Sequence, residues 1–379
     1  MPDPTKFPQK PISQLLGSNG PVHAVSYSAS PGTYILTGSS DRTIRLYKPS
    51  SPSPSPPTTT NTPSSSSPPA AAGSPIPPAK LLQTYSAHGY EVLSLSVASS
   101  NAHFASAGGD RTVYLWDVTT ANTLRRFGGS SSFGHTGRVN CVTFAGHDDS
   151  VLASGGTDTT VRLWDLRGTS PKPIQILSDA KDSVTSVVVA DAEIIVGSVD
   201  GRVRSYDLRM GRCTADVLPA SVTSLCLSRD GKTLLVGALD STLRLFDRRD
   251  GTCLRTYADK GWRNDEFRVQ SVLGGKEKFV VAGDEMSSTQ AQEEGGLTTR
   301  KPLEGRVWAW DLLTGNLVAK VAVPWGPAGT EGMKKVIGKD GKEKERKNVV
   351  SCVAWQDGGF GSQFCAGGMS GVVTVFGEG

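Results

Sequence analysis

His88, Ser106 and Asp110 stand close together in the chain, and His135, Ser154 and Asp158 repeat the same three types a short way on. An aspartate that orients a histidine, and a histidine that takes a serine proton, form the machinery of acyl transfer. Hydrolysis is therefore the first chemistry to weigh. Each set, however, ends in a tryptophan six residues after its aspartate, Trp116 and Trp164. A catalytic triad has no need of that second regularity, or of a second copy.

The regularity extends along the chain. The stretch "DTTVRLW" (158–164) has counterparts in "DRTIRLY" (41–47), "DRTVYLW" (110–116), "DGRVRSY" (200–206) and "DSTLRLF" (240–246). "EGRVWAW" (304–310) carries Glu304 in the aspartate place, and "SGVVTVF" (370–376) carries Ser370. That makes seven copies. Each is preceded by a Val-x-x-Val strand, such as "VNCVTF" from 139 or "VTSLCL" from 222, and by a small-residue strand such as "FASAGGD". Most are followed by another strand, such as "TLRRFG". Alternating apolar residues broken by glycines predict short strands and tight turns, and an aspartate in the turn accepts N–H bonds from it.

Four strands per unit with a Trp-Asp end resemble the WD repeat of β-propellers over essentially the whole chain. The resemblance implies an all-β fold: a single seven-bladed WD40 β-propeller over 10–377. The expected blades are 21–86, 90–128, 137–178, 182–218, 220–258, 267–323 and 348–377. Only six outer strands lie between the repeats, so "KPISQLL" (10–16) is expected to supply the seventh and close the ring. The resemblance also implies a structural role for the sets above: His88, Ser106, Asp110, Trp116 and His135, Ser154, Asp158, Trp164 brace their sheets, with Asp200 and Asp240 in the matching turns. The other five repeats lack the histidine.

Composition agrees with this class. The chain has 379 residues, 43 of them glycine, and a net charge of +4. No apolar run is long enough for a membrane-spanning helix, and "MPDPTKFPQKPISQLL" has no signal-peptide core, so an intracellular protein is expected. The six cysteines (141, 213, 226, 253, 352, 365) show no zinc spacing and are expected as buried thiols. The segment 333–347 holds seven Lys/Arg against three Asp/Glu, leaving the rest nearly neutral. That distribution does not suit a dedicated nucleic-acid binder, although this loop could touch acidic protein or an RNA backbone. No phosphate loop, metal-ligand cluster or nucleophile elbow is present. No catalytic residue, cofactor or metal is assigned.

Three insertions interrupt the repeats. Residues 49–79 are rich in Pro, Ser and Thr and are expected to be disordered. They hold Ser/Thr-Pro steps at Ser51, Ser53, Ser55, Thr62, Ser67 and Ser74, candidates for proline-directed kinases as against a neutral spacer. Insertions 285–303 and 324–348 are expected on the top face, beside the top rim where propellers of this kind bind peptides.

"VDGRVRSYDLRMG", "SRDGKTLLVGALDSTLRLFD" and "HGYEVLSLSV…GGDRTVYLWDV" resemble the mitogen-activated protein kinase organizer family, WD-repeat proteins also found with the spliceosome. That resemblance implies a monomeric, non-catalytic scaffold in cytoplasm and nucleus. Its partners would be kinase-cascade components or pre-mRNA splicing proteins, with no membrane. "WDLR" (164–167) and "YDLR" (206–209) also resemble adaptor-docking motifs of cullin–RING ubiquitin ligase receptors. Arg167 and Arg209 would be the anchors, Asp158 and Asp165 holding the first. Repeat alignment places Glu91, Leu93, Arg138, Asn140, Val199, Leu239 and Arg268 at the top rim. An exposed apolar and basic patch there, from Leu93, Val199 and Leu239 beside Arg138 and Arg268, is the candidate partner surface.

Overall fold

The computed structural model describes residues 7–49, 76–129, 132–285, 305–326, 335–337, 343–345, 347–358 and 361–378. Within them lie seven four-stranded antiparallel sheets and one small hairpin. The third sheet illustrates the unit. Val139–Ala145, Val151–Gly156, Val161–Asp165 and Gln175–Leu177 pair in sequence order. Leu152 faces Trp164 and Ser154 faces Arg162 across the middle ladder. Alternation along each strand sends one set of side chains toward each neighbouring sheet. The seven sheets thus bury one another as the blades of a propeller.

Glycine sets how closely the blades approach. A Cβ on Gly155 would stand 2.4 Å from Val184 Cγ1, and one on Gly197 would stand 2.6 Å from Val222 Cγ1. Those valines open the inner strands of the next blades. The blade contact needs a residue without a side chain on one side and a β-branched one on the other.

The last sheet is shared between the chain ends. Lys10–Leu15 runs antiparallel to Val373–Gly377, outside Cys352–Asp357 and Ser362–Gly367. Leu15 is buried beside Val22, Tyr27 and Val375. Just upstream, Phe7 is buried against Phe279, Trp355 and Phe364, with ring centroids 5.3–5.7 Å away. Closing the ring this way covers an edge that would otherwise template aggregation.

The inner strands of the first five blades share a bulge. The residue after the first valine (His23, Leu93, Asn140, Thr185 or Thr223) drops out of the ladder. A bulge re-aims a side chain, and here it does so at the mouth of the central channel.

Insertion 49–79 falls largely outside the described residues, as do 286–303 of the second insertion and the Ser/Thr-Pro steps. Of segment 333–347 the structure describes Lys335–Ile337 paired with Glu343–Glu345, and Lys347. Three cysteines depart from expectation, Cys226 being half-buried. Cys213 and Cys253 are exposed, because they lie on outer strands that only solvent covers; Cys141, Cys352 and Cys365 are buried.

Candidate interaction surface: the channel mouth and its braces

In blade two, His88 Nε2 lies 2.7 Å from Ser106 Oγ and Nδ1 lies 2.9 Å from Asp110. Trp116 Nε1 donates to the same Ser106 Oγ at 2.8 Å. Blade three repeats this with His135, Ser154, Asp158 and Trp164, at 2.8 Å from histidine to serine and 2.9 Å from indole to serine. Ser106 and Ser154 are 0% exposed. Each oxygen already takes an indole N–H and a histidine, so neither can meet a substrate. The Asp110 and Asp158 carboxylates also accept turn N–H bonds, from Gly89 and Thr136. Burial pushes both carboxyls up, but the histidine and turn bonds outweigh it. Asp110 lies below its ordinary value, and Asp158 is lowered to about 2.

Blades one, four and five, which lack the histidine, use arginine instead. Arg204 Nη2 donates to Asp200 at 2.6 Å and Nη1 donates to Ser198 Oγ at 2.9 Å. Arg45 holds Asp41 at 2.7 Å and Arg244 holds Asp240 at 2.6 Å. In the histidine blades, the position two before the aspartate is Gly108 or Gly156. A Cβ on Gly156 would stand 3.0 Å from His135 Nδ1. In the arginine blades one and four that position is Ser39 or Ser198, which bonds the aspartate. The two versions fill the same space.

Blade six follows neither version. Glu304 lies outside the described residues. Ala282 occupies the place of Ser106, and Trp310 Nε1 finds no partner among the described residues. Trp262 packs edge-on to Trp310 at 5.4 Å and donates to Gly283 O at 2.7 Å. Glu285 accepts the backbone N–H groups of Asp265, Glu266 and Phe267. The sequence pattern missed Trp262 and Glu285, because neither is in phase with the repeat.

Arg138 is 64% exposed at the rim and pairs with Glu91 at 3.2 Å. Tyr90, which the repeat pattern also passed over, is exposed beside them in sequence. Leu93, at the bulge of the strand Val92–Val97, and Val199 and Leu239, in the turns before Asp200 and Asp240, are half-buried rather than exposed. Val199 and Leu239 are held by backbone bonds to Ser183 and Ser221. Asn140 Nδ2 donates to Val184 O, and Thr185 Oγ1 to Val222 O, so each ties its blade to the next. Arg268 does not join the outer patch. It turns into the channel mouth, where Nη1 donates to Asn140 O at 2.7 Å. Lys347 of the basic segment lies 3.9 Å from Glu266 near this rim.

The second candidate surface is rearranged from expectation. Arg167 and Arg209 are exposed. Asp165 caps its own turn through Arg167 N at 2.8 Å, but Asp158 does not hold Arg167, because His135, Thr136 and Thr160 occupy its carboxylate. The Arg167 side chain instead faces Asp148 at 3.8 Å.

No group of three potential metal ligands occurs among the described residues, and no helix there is long and apolar enough to cross a membrane.

The family model "WD domain, G-beta repeat" matches residues 9–48, 79–117, 129–165 and 212–247. The chain is 37% identical to WD repeat domain-containing protein 83 of Rattus norvegicus and 38% identical to that of Homo sapiens. Each match spans 325 residues, 86% of this chain and 85% of the relative. A homolog of that protein from Dictyostelium discoideum is 27% identical over 338 residues, 81% of this chain and 87% of the relative.

Proposed function

We propose, on the premise that this chain belongs to the family of WD repeat domain-containing protein 83, that it assembles kinase-cascade components or attends pre-mRNA splicing by docking them on its channel mouth. As a WD-repeat propeller it is a protein-interaction scaffold. The observation that carries the reading is the division of polar groups. The Asp-His-Ser sets are consumed in bracing sheets, while Arg138, Glu91 and Tyr90 are left at the rim. A rigid ring with charged and aromatic groups on one face suits recognition.

The Ser/Thr-Pro steps support the kinase-cascade role, and the basic segment 333–347 supports a splicing role. Residence in cytoplasm and nucleus, as a monomer, goes with both. The ubiquitin-ligase reading gains less. The Asp-capped turn of Arg167 and Arg209 recurs at Asp117, where Thr119 replaces the arginine, and at Asp311, which accepts Thr314 N one residue further on. It is a general hairpin device.

The test is affinity purification of the tagged chain from its native cells, with and without nuclease, followed by mass spectrometry. Splicing proteins that persist after nuclease support the splicing role, and kinase-cascade members without them support signalling. Ligase adaptor recovered through Arg167 and Arg209, with neither other group, overturns the proposal.

A further inference from the structure

Arg268 directly precedes Val269, at the start of the sixth blade's inner segment. Its guanidinium reaches across the mouth to blade three, where Asn140 O takes Nη1. Its Nε is enclosed and meets no acceptor among the described residues. The channel beside it has a volume of about 420 Å³, lined by strands of blades one, four, five, six and seven. Ser186, Ser224, Gln270, Ser271 and Gln356 provide hydroxyl and amide groups along the wall. Arg268 is the single charged side chain among the lining residues.

Among the described residues, no carboxylate pairs with it. Glu91 is engaged by Arg138. His23, bonded to Ser40 Oγ at 2.7 Å, is pushed toward its neutral form by burial and then by Arg268, against the pull of Glu91. Burial lowers the pKa of Arg268 itself, and no carboxylate offsets that effect. A half-buried guanidinium with its Nε enclosed and no counter-ion among the described residues carries a desolvation cost. A carboxylate brought to it gains charge-assisted hydrogen bonds in a low-dielectric setting.

We propose that the channel mouth receives one carboxylate side chain, Asp or Glu, from a loop of a partner protein, with Arg268 as its anchor. The volume favours a side chain with its backbone over an inorganic ion, since a water molecule fills only about 30 Å³. Neutral hydroxyls and amides beyond the arginine suit the flanking peptide groups. The inference rests on the scaffold reading above, but its test needs no partner.

The full chain is titrated calorimetrically with N-acetyl-glutamate methylamide, its glutamine analogue and inorganic phosphate. The glutamate probe should bind about tenfold more tightly than the glutamine analogue, and Arg268→Met should abolish that preference. Arg268→Lys, which keeps the charge, should retain part of it. Should the Met variant not fold, the NMR signal of Arg268 Nε–H in the unaltered chain decides, since it must move with the glutamate probe and not with the glutamine one. Equal binding of the two probes, or an unmoved Arg268 signal, overturns the proposal. So does binding of phosphate alone, which would make this a site for a free ion. If the probes fail while the tagged chain still captures proteins, the anchor is wrong and the scaffold reading stands.

Discussion

Arg204 holds Asp200 at 2.6 Å, in the turn where blade three holds Asp158 with His135 at 3.0 Å. The chain thus solves one problem twice. An aspartate must sit beneath a tight turn, largely buried, and something must offset its charge. Histidine reaches in from the preceding loop and needs glycine beside it. Arginine reaches back from its own strand and leaves room for serine.

The first prediction follows from that exchange. Gly156→Ser places a side chain against His135 Nδ1 and Asp158 Oδ1, each 3.0 Å from its Cβ, and against Arg138 O at 2.8 Å. Overpacking of this kind costs about 1–3 kcal/mol. Ser198→Gly removes a hydroxyl from the arginine version and relieves no crowding. Chemical denaturation should show both variants less stable, with Gly156→Ser retaining the histidine blade's crowding penalty even in a His135→Ala background only in reduced form.

Blade five offers a gain. Arg244 Nη1 is buried without a partner among the described residues, and Ala238 stands where blade four has Ser198. Ala238→Ser supplies the missing acceptor. One net hydrogen bond contributes about 1 kcal/mol, so the melting temperature should rise by a few degrees. An unchanged or lower value would show that the space does not admit the hydroxyl.

The two indoles at the ends of blades three and six should differ. Trp164 donates to Ser154, while Trp310 Nε1 has no acceptor among the described residues. Trp164→Phe should therefore destabilise by about 1 kcal/mol more than Trp310→Phe, read by thermal melts of the two variants.

The braces make stability depend on acid. Asp158 is lowered to about 2, and Asp41, Asp110, Asp200 and Asp240 are also held below the ordinary carboxylate value. For each, burial pushes the other way and is outweighed by hydrogen bonds to histidine or arginine and to the turn. A carboxyl depressed in the folded state stabilises fully above its unfolded pKa, about 3.9, and loses that contribution as pH falls through the folded value. Melting temperature should hold level above about pH 5 and fall steeply from about pH 4 to 2. Asp158→Asn should flatten part of that fall, a share on the order of 2 kcal/mol.

The blades and the closing strand were legible because seven turns repeat at a fixed distance from an aromatic, and because six outer strands leave one to be found. The histidine braces were legible for the same reason. The arginine braces were present in the text as an arginine four residues after Asp41, Asp200 and Asp240, but Arg162 has that spacing in a histidine blade too. The spacing alone does not separate the versions. Phe7 was hidden because a lone aromatic among prolines carries no period, although its burial joins blades six and seven. Arg268 was placed at the rim by alignment. Its inward course depends on which side of the chain faces the channel, and repeat spacing does not encode that.

The central claim is that the top rim, not the braces, does this protein's work. Tagged full chain carrying Arg138→Glu and Leu239→Asp, first shown to melt like the unaltered protein, should be purified from native cells after nuclease treatment. The protein partners captured by the unaltered chain should be lost from this variant. The same partners recovered in equal amounts would contradict that claim.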